Sequence, residues 1–146
     1  MEKDCELLLL ENQVCFPTYA VANKILRRYK PLLKELNLTY TQYITMMVLW
    51  EKETVKEKDL VKALYLQANT LTSLLRKLKK KGYAEIRKDE KDKRNINISI
   101  TEEGRKLKDK AVNVPKTLIN EHWLADEEVR TFKELLSKLL KGEWGK

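Results

Sequence analysis

Apolar positions recur along most of this chain at the three-and-four spacing of a helix buried on one side, and they alternate strictly in only two short, neighbouring stretches. Leu71, Leu74, Leu75 and Leu78 mark a buried helical stripe, while Asn69, Thr70, Thr72, Ser73, Arg76 and Lys77 fall on the other faces. Three lysines and then Gly82 supply a C-terminal stop, the lysines suiting the negative end of the helix dipole. Residues 84–87 and 95–100 alternate with period two, which predicts two strands with one buried face, joined by the charged tip 88–94. Upstream, residues 7–29 keep helical spacing with Cys15, Tyr19, Ala22, Leu26 and Tyr29 on one stripe. Pro17 interrupts this run, so the helix either starts near residues 14–16 or is kinked there. In the first case Cys15 stands at a helix N-terminus, where the dipole favours a thiolate. Pro31 is expected to end or bend the same helix.

Residues 37–41 predict a loop running into an N-cap, followed by an apolar helix over 42–51 that must be buried. Residues 54–64 predict a short helix opened by a capping-box-like pair, Thr54 and Glu57, with residues 65–68 as the turn into the leucine-striped helix. Thr101 N-caps a further helix expected to run to Val114 and stop at Pro115. Asp126 opens a last helix with Val129, Phe132, Leu135, Leu136, Leu139 and Leu140 on one face. The predicted fold is mainly α with a small β-hairpin wing: a winged helix-turn-helix core over 42–101, flanked by helices over 7–36 and 102–146, in a single domain spanning 1–146. The terminal helices carry more apolar surface than so small a core can cover. A homodimer that pairs them sets two recognition helices about one DNA turn apart, ~34 Å, matching an inverted repeat. The alternative is a monomer that closes them over its own core.

Charge changes the picture by saying where a partner sits. The chain has 146 residues, 30 of them Lys or Arg against 22 Asp or Glu, for a net charge of +8. Between Arg76 and Arg94, ten residues are basic and four acidic, so the helix and hairpin carry most of that excess. Small polar side chains on a helix reach base edges in the major groove while flanking lysines neutralise phosphates. A basic hairpin tip reaches the adjacent minor groove. Against double-stranded DNA as the partner stands the plainer reading of a solvated helix and hairpin kept soluble by charge.

No run is long enough to span a membrane, and residues 7–10 are too short and too acidic in their flanks for a signal peptide, so a cytoplasmic protein without membrane contact is expected. The two cysteines then read as reduced thiols. One histidine, His122, and no clustered cysteines leave few ligands for a metal. Without a Gly-rich phosphate loop or a nucleophile partner for His122, the chain predicts no enzyme and no cofactor.

With these pieces placed, the chain resembles the MarR family of winged helix-turn-helix repressors over nearly its whole length, and most of all the OhrR-type repressors that sense organic hydroperoxides. The likeness is carried by residues 10–16 with Tyr19 and Ala20, by 29–33, 38–43, 64–66, 70–72, Leu74, Leu75, Gly82, 92–94 and 98–104. Asp92 and Arg94 match a wing motif common to the family, whereas Cys15 with Tyr29 and Tyr40 is far more restrictive. The resemblance implies that Cys15 is the peroxide-reactive thiol, that Tyr29 and Tyr40 of the other subunit contact it, and that Tyr19 lies near that pocket. Helix geometry agrees with a site shared between subunits, because fourteen residues along one helix separate Cys15 from Tyr29 by ~21 Å. The bland reading makes Cys15 a small core residue and the tyrosines packing.

The expected function is therefore a repressor released when an organic hydroperoxide oxidises Cys15 to a sulfenic acid, which a low-molecular-weight thiol then caps. Some relatives resolve that acid with a second cysteine toward the carboxyl end, and this chain has none there. Cys5 reads as an exposed bystander or, if the amino-terminal arm moves, as a resolving thiol. Arg94 is the expected minor-groove residue with Asp92 bracing it, and Gln67, Asn69, Thr70, Thr72, Arg76 and Lys77 are the expected contacts of the recognition helix. Three rivals remain at this stage: a repressor released by a reversible phenolic ligand, a thiol peroxidase using Cys15, and an architectural DNA binder.

Overall fold

The computed structural model describes residues 2–142, so the last four residues of the expected carboxyl-terminal segment 102–146 lie outside it. The element order is α1 (Glu2–Glu6), α2 (Cys15–Lys34), α3 (Tyr40–Lys52), β1 (Thr54–Lys56), α4 (Glu57–Leu64), α5 (Ala68–Lys80), β2 (Ala84–Lys88), β3 (Ile96–Ile100), α6 (Glu102–Ala111), α7 (Asn113–Ile119) and α8 (Asp126–Lys141). A single 3-10 turn, Leu10–Asn12, lies between α1 and α2. The chain divides into two compact units, residues 1–114 and 115–146.

In the first unit the core is built around α5. Leu71, Leu74, Leu75 and Leu78 are all buried, each contributing roughly 1.5–3 kcal/mol on burial. Leu33 and Leu36 at the α2 end, Met46 and Leu49 of α3, Leu60 of α4, and Ile98 and Ile100 of β3 are among the other buried residues of this unit. The helix ends as its sequence predicts: Gly82 has φ +83°, and the Tyr83 N–H donates to the Leu78 carbonyl at 3.0 Å, closing the turn that a glycine in this position permits. Thr39 caps α3 by accepting from the Gln42 N–H, and the Gln42 side chain accepts from the Thr39 N–H in return.

Several boundaries differ from expectation, each for a local reason. For the amino-terminal run the first of the two expected alternatives holds: helix α2 begins at Cys15, which puts Pro17 in a first turn where its missing N–H costs nothing. Pro31 does not end α2, which continues to Lys34. Pro115 likewise does not stop a helix but lies in the first turn of α7, the break falling earlier, after Ala111. Thr54 and Glu57 form no capping box. Thr54–Lys56 is a third strand, antiparallel to β3 with Thr54 opposite Ser99, and their hydroxyls lie 3.1 Å apart. The sheet order is thus β1-β3-β2, with the wing hairpin widened by β1 on its inner edge.

Thr101 caps α6, accepting from the Gly104 N–H at 3.0 Å and donating to the Gly82 carbonyl at 2.5 Å. Gly104 packs so closely that a Cβ there would overlap the Tyr83 carbonyl oxygen, while its own carbonyl accepts from the Trp50 indole at 2.8 Å. In the second unit, α8 is amphipathic, and Val129, Phe132, Leu135, Leu139 and Leu140 are all exposed. Among the described residues no helix is long and apolar enough to cross a membrane.

Candidate functional site

The outward face of α5 is formed by residues that helical spacing places together. Gln67 is its N-cap and makes no side-chain capping bond, while Asn69, Thr70, Arg76 and Lys77 are exposed. Asn69 Oδ1 accepts from the Thr70 N–H at 2.9 Å, which fixes the first turn. Thr72 departs from the rest. It is half-buried, and its hydroxyl donates to Glu57 Oε1 at 3.1 Å and to the Ala68 carbonyl at 2.9 Å, so it faces α4. The hydroxyl on the open face is that of Ser73, exposed and four residues after Asn69, with Lys80 further along the same stripe. The i, i+4, i+7 spacing of Asn69, Ser73 and Arg76 was the available signal for Ser73.

Two carboxylates brace the wing tip: Asp89 Oδ1 accepts from the Lys91 N–H at 3.0 Å, and Asp92 holds Arg94. Asp92 Oδ1 accepts from the Arg94 N–H at 3.1 Å and from Arg94 Nε at 3.1 Å, and Asp92 Oδ2 accepts from Arg94 Nη2 at 3.2 Å. These bonds hold the Asp92 carboxyl below the usual carboxylate range, with Lys58 and Lys56 adding to the effect. The Arg94 side chain is 91% exposed. A forked carboxylate fixes its direction and leaves its outer N–H groups free to donate.

A second cluster lies where α2 meets α3. The Tyr29 and Tyr40 rings meet edge to face at 5.0 Å, and Tyr43 lies 6.0 Å from Tyr29 and 6.4 Å from Tyr40. Burial raises all three phenol pKa values, and the neighbouring phenols add to the rise at Tyr29 and Tyr43. The phenols therefore stay protonated and can donate. Tyr43 was not among the sequence candidates, because its place inside an apolar helix reads as core.

Cys15 is exposed in the single chain, at the first position of α2. The uninterrupted helix holds it ~21 Å from Tyr29 of the same chain. Tyr19, one turn above Cys15, is also exposed. Beside Tyr40 opens a cleft of about 460 Å³ with Leu26, Leu33 and Leu38 as its apolar wall and Lys30, Lys34 and Lys81 at its rim. Lys81 Nζ donates to the Asn37 carbonyl at 2.6 Å and to Gln42 Oε1 at 2.8 Å, tying the end of α5 to the cap that positions Tyr40. Among the described residues no group of His, Cys, Asp or Glu is placed to hold a metal ion.

A basic helix beside a basic wing is a layout that suits reading DNA, and comparison with known proteins agrees. The family model for the transcriptional regulator SarA/Rot matches residues 27–111. The chain belongs to this SarA/Rot family. It is a MarR-like winged-helix transcriptional regulator and not an enzyme. It is 39% identical over 140 residues to the organic hydroperoxide resistance transcriptional regulator of Bacillus subtilis, covering 96% of this chain and 95% of that one.

Among solved structures, AbfR of Staphylococcus epidermidis superimposes with a TM-score of 0.75 at 29% identity, over 93% of this chain and 95% of that one. Reduced AbfR bound to DNA and overoxidized AbfR bound to DNA each give 0.78 over 95% and 97%, whereas the disulfide-formed AbfR gives 0.67 at 25% identity over 96% and 98%. NadR in complex with 4-hydroxyphenylacetate gives 0.72 at 25% identity over 90% and 94%.

Proposed function

We propose that this regulator is a cytoplasmic homodimeric repressor whose reduced form binds inverted-repeat operator DNA and is released when an organic hydroperoxide oxidises Cys15. The observation that carries this reading is the exposed Cys15 thiol at the start of α2, in a chain that is 39% identical to a hydroperoxide-resistance regulator. A second copy placed antiparallel along α2 brings its Tyr29 and Tyr40 to Cys15, and their protonated phenols donate to the thiolate. The thiolate attacks the distal peroxide oxygen, the O–O bond breaks, an alcohol leaves after protonation, and the sulfenic acid is capped by a low-molecular-weight thiol with loss of water. Lys81 and the Thr39–Gln42 cap are the path by which a displaced Tyr40 pulls on α5.

On DNA, Gln67, Asn69, Thr70, Arg76 and Lys77 meet the major groove together with Ser73. Thr72 supports that face from behind, and Arg94, braced by Asp92, enters the minor groove. AbfR, solved on DNA both reduced and overoxidized, supports a release signal that is a bond to sulfur rather than added oxygen. One observation favours a second reading, release by a reversible acidic ligand: the lysine-rimmed apolar cleft beside Tyr40 suits a small apolar anion.

Operator DNA recovered by in vitro selection on the reduced protein separates the two. Cumene hydroperoxide with a small thiol should abolish binding by the wild type and leave Cys15→Ser bound, with one thiol adduct at Cys15. Equal binding by both proteins after oxidant would sink the redox reading in favour of the ligand.

A further inference from the structure

The segment ahead of α2 holds a second thiol in a folded, unpacked hook. Cys5 lies in the five-residue helix α1, and like Cys15 it is exposed. Between them the backbone makes two successive turns: the Leu8 and Leu9 N–H groups donate to the Cys5 and Glu6 carbonyls at 3.1 and 3.2 Å, and those of Asn12 and Gln13 to Leu9 and Leu10, each at 3.1 Å. Two side chains draw the hook shut. Asn12 Nδ2 donates to the Glu6 carbonyl at 2.8 Å, and Gln13 Nε2 to the Leu7 and Leu9 carbonyls at 2.6 and 3.1 Å. The neighbour of Cys5 is thereby held one side-chain length from a residue three places before Cys15.

Packing does not hold this arrangement, since every residue from 5 to 10 is exposed, its leucines included. A five-residue helix lacks the length to persist alone, and solvent-exposed hydrogen bonds open at the low end of local stability. A disulfide needs Cα atoms ~4.4–6.8 Å apart, and a loop of about ten residues closes within roughly 10–100 ns once its local bonds open.

We propose that Cys5 is the resolving thiol of Cys15, closing the oxidised sulfur into a disulfide within one chain when small thiols are scarce. The inference rests on the peroxide-sensing reading above. The Cys5 thiolate attacks the sulfur of the Cys15 sulfenic acid, the S–S bond forms, the S–O bond breaks, and the hydroxide leaves as water. The hydroperoxide is the two-electron oxidant, and a small dithiol reverses the step. Cys5 acts at an effective concentration on the order of mM, so it outruns free thiols below that range and yields to them above it. The cap on Cys15 thus reports the cell's thiol supply.

The test treats the reduced full-length protein with a stoichiometric amount of cumene hydroperoxide, without thiol and then across a titration of free cysteine, and follows intact mass and operator binding together. Both cysteines fall in one tryptic peptide, 4–24, and a glutamate-specific protease cuts between them at Glu6 and Glu11. Without thiol, wild type should lose the mass of two hydrogens, and its 4–24 peptide should yield S–S-linked fragments after the glutamate cut. Cys5→Ser should instead gain oxygen at Cys15. The cysteine adduct should overtake the disulfide only near mM thiol in wild type, but at about stoichiometric thiol in Cys5→Ser. Oxygen gain at the same rate in both proteins, or a disulfide that joins two chains on a non-reducing gel, would overturn the proposal while leaving peroxide sensing in place. A Cys15 that stays reduced would overturn both.

Discussion

At the scale of single residues, two kinds of polar group mark the candidate site: phenols kept neutral by burial and a guanidinium kept in place by a carboxylate. Tyr29, Tyr40 and Tyr43 have pKa values raised above the ordinary 10.0, with burial as the first cause. A pKa higher in the folded than in the unfolded state means that these phenols stabilise the fold fully below pH 10 and lose that contribution as pH rises through their folded values. A titration of tyrosinate absorbance should therefore contain a late component above pH 10 that shrinks in Tyr40→Phe. Its absence would remove the case for neutral donors beside the thiol. The hydrogen bonds of the Arg94 side chain described above all go to Asp92, and the side chain reaches outward. Arg94→Ala should weaken operator binding and flatten the log–log salt slope by about two for a dimer that inserts two wings. Equal slopes for the two proteins would take Arg94 out of the groove.

Between elements, α6 comes so close to the loop entering β2 that only a residue without a Cβ fits at Gly104. Gly104→Ala gains roughly 1 kcal/mol of helix propensity but forces the helix off the Tyr83 carbonyl, at about 1–3 kcal/mol of overpacking. A net loss of about 1 kcal/mol should lower the melting temperature by several degrees, and a more stable variant would show that the contact relaxes freely.

Element scale is also where the sequence was most and least readable. Leucines at 71, 74, 75 and 78, with Gly82 and the alternation of the wing, made α5, β2 and β3 legible because each pattern is local and long enough to count. Strand β1 was not legible. It is three residues long, its partner lies forty-five positions away, and Thr54 with Glu57 imitates a cap. Pro31 and Pro115 misled for a related reason: one residue reads as a stop, but helix continuity depends on neighbours that supply the missing contacts. For the candidate site, Cys15, Tyr29 and Tyr40 were singled out by a family pattern rather than by their spacing. Thr72 and Ser73 could not be told apart until the position of Glu57 was known.

For the whole molecule, the exposed apolar stripes decide what the regulator is built to join. Phe16, Val21 and Leu26 of α2, and Phe132, Leu135 and Leu139 of α8, are each at least 40% exposed, each at a cost that a partner surface would remove. Under the proposed function a second copy is the occupant that would also complete the site, since α2 keeps Cys15 and Tyr29 apart within one chain, and the same two-fold axis would serve an inverted repeat. Joining two reading heads raises affinity over one head by about 10²–10⁴-fold. Placing two carboxylates in the α8 stripe, as Leu135→Glu with Leu139→Glu, should therefore yield a monomer by sedimentation equilibrium whose operator affinity falls by a factor in that range. Its far-ultraviolet circular dichroism should stay helical, because neither leucine is buried in the single chain. The doubly charged variant should also oxidise Cys15 more slowly, having lost the partner's phenols. A variant that remains dimeric and binds as tightly as wild type would place the interface elsewhere and return Tyr29 and Tyr40 to packing within one chain.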